Sequence, residues 1–127
     1  MNLKRIRLEL AQTEDFPQGS TRHGYELTVP LDANGHVDPA GFAHVKSACT
    51  VRRFWDKAAD VHGVVIHTRD GKWAFSYGKQ NEKDEPIFRL DTHLFFVVGD
   101  YVTVTGHDRI SRAFQVVEIH SATSARG

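Results

Sequence analysis

A chain of 127 residues with 40% hydrophobic and 25% charged side chains has the size and composition of one globular domain, which excludes a disordered chain. Sixteen basic and sixteen acidic side chains cancel, so no global field draws the protein to nucleic acid or an anionic membrane, and any basic patch must be local. The longest apolar run, Leu94 to Gly99, has six residues, against the roughly 20 that span a bilayer.

The N-terminal MNLKRIRLEL alternates charge with aliphatic side chains where a signal peptide needs an unbroken apolar stretch, so a cytoplasmic location is expected. Ile6, Leu8 and Leu10 have the period of two that marks a half-buried strand. After a turn through TEDFPQGSTRHG, the alternation resumes at Tyr25, Leu27 and Val29, predicting a second strand over Gly24 to Val29. Asp38 before Pro39 is a helix start, because the carboxylate caps free N–H groups and proline at the first helical position loses no hydrogen bond. Phe42 and Val45 give this short helix, about 38–47, an apolar stripe.

Cys49 to Trp55 reads as a third strand, followed by the loop DKAADVHG. In VVIHTRDGKWAFSY, Asp70 and Gly71 suit a two-residue type I′ turn. That turn pairs Thr68 with Trp73, Ile66 with Phe75 and Val64 with Tyr77, and places these six on the core face. KQNEKDEP is a charged loop, Phe88 and Leu90 mark a short strand, and LFFVVGD is a buried connection. Tyr101 to Thr105 against Ala113 to His120 is the last hairpin, and residues 121–127 are expected as a disordered tail after a single compact domain over 1–120. Short strands with turns between them predict a mostly β (α+β) fold, a small, strongly curved antiparallel sheet or barrel with one short helix.

Eight histidines are about three times an average composition, yet none has the face-sharing spacing of a metal site within one element. A site could assemble only from distant loops, for example His23, His93 and His107. Asp32, Asn34 and His36 fall at the first, third and fifth positions of a calcium loop, but Val37 stands where glycine is required and Ala43 where a bidentate glutamate is required. Cys49, the only cysteine, excludes an internal disulfide and has no local signature of a base to activate it. No phosphate loop, nucleophile elbow or paired-carboxylate motif occurs, and no cofactor is expected.

TVRRFWD is the remaining feature. Period two puts Arg52 with Thr50 and Phe54 on one face, and Arg53 with Val51 and Trp55 on the other. One arginine can lay its stem along the core and pair with a carboxylate such as Asp56, Asp91 or Asp100, leaving the other exposed. If Arg53, Trp55 and the His67 face lie together, they would form a shallow cationic and aromatic pocket, with Arg69 and Lys72 adding charge from the hairpin tip.

The blocks HGYELTVPLDANGHVD, CTVRRFW, WAFSYG and GDYVTV, between about Gly24 and Ile119, resemble in order a family of short alphaproteobacterial proteins of unknown function. Val98, where the family has proline, and the mixed KQNEKDEP, where its loop is more acidic, depart from that pattern. The resemblance implies a compact cytoplasmic domain and carries no mechanism.

The expectation is a non-catalytic binding or interaction domain that contacts a protein or a small anionic ligand through Arg52, Arg53, Trp55, His67, Arg69 and Lys72. A nucleic-acid-binding barrel is the first alternative, disfavoured by the neutral charge, and a histidine-metal or cysteine enzyme is the second. An exposed sheet edge could also pair two copies.

Overall fold

The structure, a computed structural model, describes residues 3–78, 83–89, 94–106 and 108–122. Eight strands, β1 (Leu3–Leu10), β2 (Ser20–Pro30), β3 (Thr50–Trp55), β4 (Val61–His67), β5 (Trp73–Ser76), β6 (Glu85–Phe88), β7 (Tyr101–Thr105) and β8 (Ser111–Ser121), pair in chain order as antiparallel neighbours. β8 returns to β1 and closes the barrel. Between β2 and β3 lies the helix α1 (Pro39–Val45), followed by one 3₁₀ turn, Lys46–Ala48. Closure decides between the two architectures left open by periodicity. It also pairs each strand on both sides, so the expectation that two copies join through a free sheet edge loses its edge. No helix among the described residues is long and apolar enough to cross a membrane.

The period of two sorts each strand into an inner and an outer row. Ile6, Leu8 and Leu10 point inward against Leu27, Tyr25, Val116 and Phe114, as their cross-strand pairing and burial show. Val102 and Val104 meet Phe114 and Arg112 in the final hairpin, whose second strand starts at Ser111, two residues earlier than expected. An eight-stranded barrel has an interior just wide enough for side chains to fill. Here Phe75, Phe114, Leu27, Val51 and Ile87 fill it, all at most 2% exposed. The centre is therefore packed, and binding space is left at the ends and on the outside.

Four strands differ in their bounds from the sequence reading. β2 begins at Ser20 and β4 at Val61, inside segments expected as loops, because pairing with β1 and β3 recruits backbone whose side chains have no strong strand preference. β6 begins at Glu85, and Leu90 lies outside the described residues. β8 runs to Ser121, and Ala122 N donates to Leu3 O at 3.0 Å, so the strand reaches into the segment expected as a tail.

The β4–β5 hairpin corrects the expected register by one residue. Gly71 N donates to Thr68 O at 3.0 Å, Thr68 N donates to Lys72 O at 2.7 Å, and Gly71 has φ 82°. This is a three-residue loop, a type I turn closed by a left-handed glycine, in place of the two-residue turn. His67 thus pairs with Trp73 and Val65 with Phe75, so these four share the inner face while Val64 and Ile66 move outward.

Candidate ligand-binding cleft

The polar turn after β2 and the helix behind it shape one end of the barrel. Asp32 Oδ1 accepts from Asn34 N at 2.8 Å and His36 N at 3.0 Å, which is why this stretch mimics the start of a calcium loop. Asp38 Oδ1 accepts from Gly41 N at 3.1 Å and caps α1, with Pro39 in the first turn. The helix then drops Phe42 edge-on against Trp73, with ring centroids 5.0 Å apart and planes at 83°. On Trp73 lies His67, stacked at 4.0 Å and 12°. The three-residue turn makes this stack, since it brings His67 and Trp73 directly opposite each other.

Beside the stack is a cleft of about 1230 Å³ to which the 32–39 turn, the β4–β5 hairpin, β6, Leu94 and the β7–β8 end all contribute. Its apolar lining includes Val37, Trp73, Ile87, Phe88 and Leu94. Its charged lining includes Lys72, Arg89 and Arg109 with Asp32, Asp38 and Asp70. The two signs are not equivalent. Asp32 and Asp38 are held by backbone N–H groups, and the Thr68 hydroxyl donates to Asp70, holding its carboxyl below the usual carboxylate range with help from Lys72. Among the described residues, neither Lys72 nor Arg109 makes a side-chain hydrogen bond or ion pair. Arg89 lies 3.8 Å over the Phe95 ring, donates through Nη1 to Tyr101 O at 3.1 Å, and sits 3.4 Å from Asp100. Its Nε is buried with no acceptor among the described residues.

The six residues singled out from sequence do not form one site. His67 and Lys72 line the cleft, and Arg69 is exposed at the adjoining hairpin tip. Arg52 points outward, its two nitrogens 2.7 Å from Glu26 and 2.8 Å from Asp60, and shares the Phe54 ring with Arg7. Arg7 in turn bridges Glu9 and Glu26, so this outer face alternates in sign where a nucleic-acid interface needs a basic stripe. Arg53 points inward to Glu85 at 2.8 Å, a partner other than the aspartates expected from sequence. Trp55 also points inward, edge-on to His23 at 4.6 Å, with Arg112 5.7 Å over its ring.

Around Glu85 the barrel encloses a polar network. Tyr77 OH donates to Oε1 at 2.6 Å and Tyr25 OH donates to the same oxygen at 3.2 Å, while Arg53 holds Oε2. Burial, reinforced by the Glu85 charge, pushes both phenols far above their ordinary range, so they stay neutral donors. This network satisfies a carboxylate that is 0% exposed.

Nucleophilic and metal chemistry gain no support. Cys49 is fully buried, its Sγ donates to Val45 O at 3.4 Å, and burial pushes the thiol up to about 11. Among the described residues no group of three or more His, Cys, Asp or Glu side chains could hold a metal ion. His23 is buried with Nδ1 2.6 Å from Ser20 Oγ; His93 and His107 lie outside the described residues. No protein-family model, curated protein or solved structure matches the chain.

Trp73, Arg109, Phe88 and Leu94 escaped the sequence reading because they come from separate segments and each looks locally like core or loop. The one usable signal was the Asp70–Gly71 turn beside Lys72, and it pointed to the right hairpin in the wrong register.

Proposed function

We propose that the protein is a non-catalytic binding domain that takes a small anionic ligand into the cleft beside α1. One observation carries this reading. Lys72 and Arg109 line a concave, partly apolar site and have no ion-pair partner among the described residues, while its three carboxylates are each engaged by local donors. The ligand region therefore moves from the Arg52 and Arg53 strand to the His67, Lys72 and Arg109 side of the barrel. Both strand arginines already have carboxylate partners.

The test is a two-dimensional amide NMR titration of the whole chain with acetate, benzoate, phosphate, decanoate, zinc and a short oligonucleotide. Anion-induced shifts confined to 67–73, 87–89 and 109 support the reading. Silence at those positions with every anion sinks it, and shifts on the outer face of β1 to β3 with the oligonucleotide alone would replace it with the nucleic-acid alternative.

A further inference from the structure

We infer that the ligand of this cleft is an aliphatic carboxylate, a flexible acyl chain with one anionic head, a deduction that rests on the binding reading above. Three properties of the site point to it.

The first is capacity. Drug-sized ligands occupy pockets of roughly 300–1,000 Å³, and this cleft has about 1230 Å³. A small inorganic anion, or acetate, would contact the cationic groups and leave most of the apolar lining wet. The ligand needs an apolar part.

The second is the shape of the apolar lining. Trp73 is the large aromatic ring of the cleft, but His67 stacks on it at 4.0 Å and Phe42 closes on it edge-on at 5.0 Å. It is 8% exposed, so a planar aromatic ligand finds its faces occupied. The rest of the apolar lining is a floor of branched aliphatic side chains, Val37, Ile87 and Leu94, as buried as Trp73 itself, with a more open rim of Pro39, Pro86 and the half-buried Phe88. A chain that can bend follows such a surface without needing a stacking plane.

The third is the head group. Lys72 and Arg109, both exposed on the cleft, lack ion-pair partners among the described residues. These donors match an anion, whereas an alcohol or ester would leave the two cations unneutralised.

Isothermal titration calorimetry on the wild-type chain, with hexanoate, octanoate, decanoate, decanol, benzoate and phosphate, tests this without any variant. Affinity is expected to rise roughly fourfold for each added methylene that is buried. Decanoate should bind at least tenfold more tightly than decanol, benzoate or phosphate. The double variant K72Q/R109Q should bring decanoate down to the level of decanol. Equal affinity for all chain lengths, decanol matching decanoate, or benzoate matching or exceeding decanoate would each overturn the acyl-carboxylate assignment while leaving an anion-binding cleft intact. Absence of binding by every anion would remove the cleft reading itself.

Discussion

Arg53 Nη1 lies 2.8 Å from Glu85 Oε2 inside the barrel, joining β3 to β6 across 32 residues of chain. The two side chains are 12% and 1% exposed, so this pair is shielded from water and salt. Glu85 is the reason β6 can carry a charged residue at a core position: the barrel supplies an arginine and two phenols around it.

Removing one member of that pair should therefore destabilise the fold strongly. Glu85→Leu and Arg53→Met are each expected to lower stability by about 3–5 kcal/mol, because each leaves a buried charge without its partner. The double variant should lose clearly less than the sum of the two. Urea denaturation of the four proteins measures this coupling, and strictly additive losses would mean that the network does not act as a unit.

His23 makes stability depend on pH. Burial lowers its pKa below the ordinary value, only partly opposed by Asp56. The unfolded chain then binds a proton on this ring more readily than the folded one. The contribution is fully present above about pH 6.5 and is lost as pH falls toward the depressed folded value. His23→Asn should flatten the decline in urea midpoint between pH 7 and 5 relative to wild type. A ring titration by NMR centred at or above the unperturbed histidine value would contradict the assignment.

Cys49 should be chemically silent in the native protein. Its thiol is buried and pushed up to about 11, so little thiolate exists at neutral pH. Treatment with a thiol-reactive disulfide at pH 8 is expected to label the urea-unfolded chain within minutes and the folded chain at a rate at least a hundredfold lower. Comparable rates would show that the β3 end of the barrel opens readily.

Gly63 has a steric role in the barrel wall. A Cβ there would come within 2.3 Å of Ser76 O and 2.7 Å of the Tyr77 ring. Gly63→Ala is expected to lose about 1–3 kcal/mol by forcing β4 away from β5 and displacing Tyr77 from Glu85. Gly71→Ala provides the contrast, since it has open space around it and only the positive φ of 82° opposes it. Thermal melts that rank Gly71→Ala as far more damaging would reverse this account.

Regular alternation was legible wherever local preference and barrel geometry agree. Ile6, Leu8 and Leu10, Tyr25, Leu27 and Val29, and the β7–β8 hairpin all face as their period of two demands. The Asp38–Pro39 helix start was legible for the same reason, since its cap is made within three residues. The β4–β5 register was not, because Asp70–Gly71 fits both a two-residue and a three-residue loop and glycine accepts positive φ in either. β6 was illegible at its start: Glu85 and Pro86 break every strand pattern, and the residues that accommodate the carboxylate stand elsewhere in the chain.

Short-range chemistry alone determined that this chain makes β-strands with one capped helix, and that Arg52 and Arg53 fall on opposite faces of β3. Those properties depend on backbone periodicity and contacts a few residues apart. Tertiary structure decided that the sheet closes, that Arg53 is the arginine inside, and that Trp55 lies inward with Arg112 over its ring while Trp73 and Lys72 line the cleft. Each of these depends on which distant group meets which, and a charge can be buried only where the folded chain brings its partner.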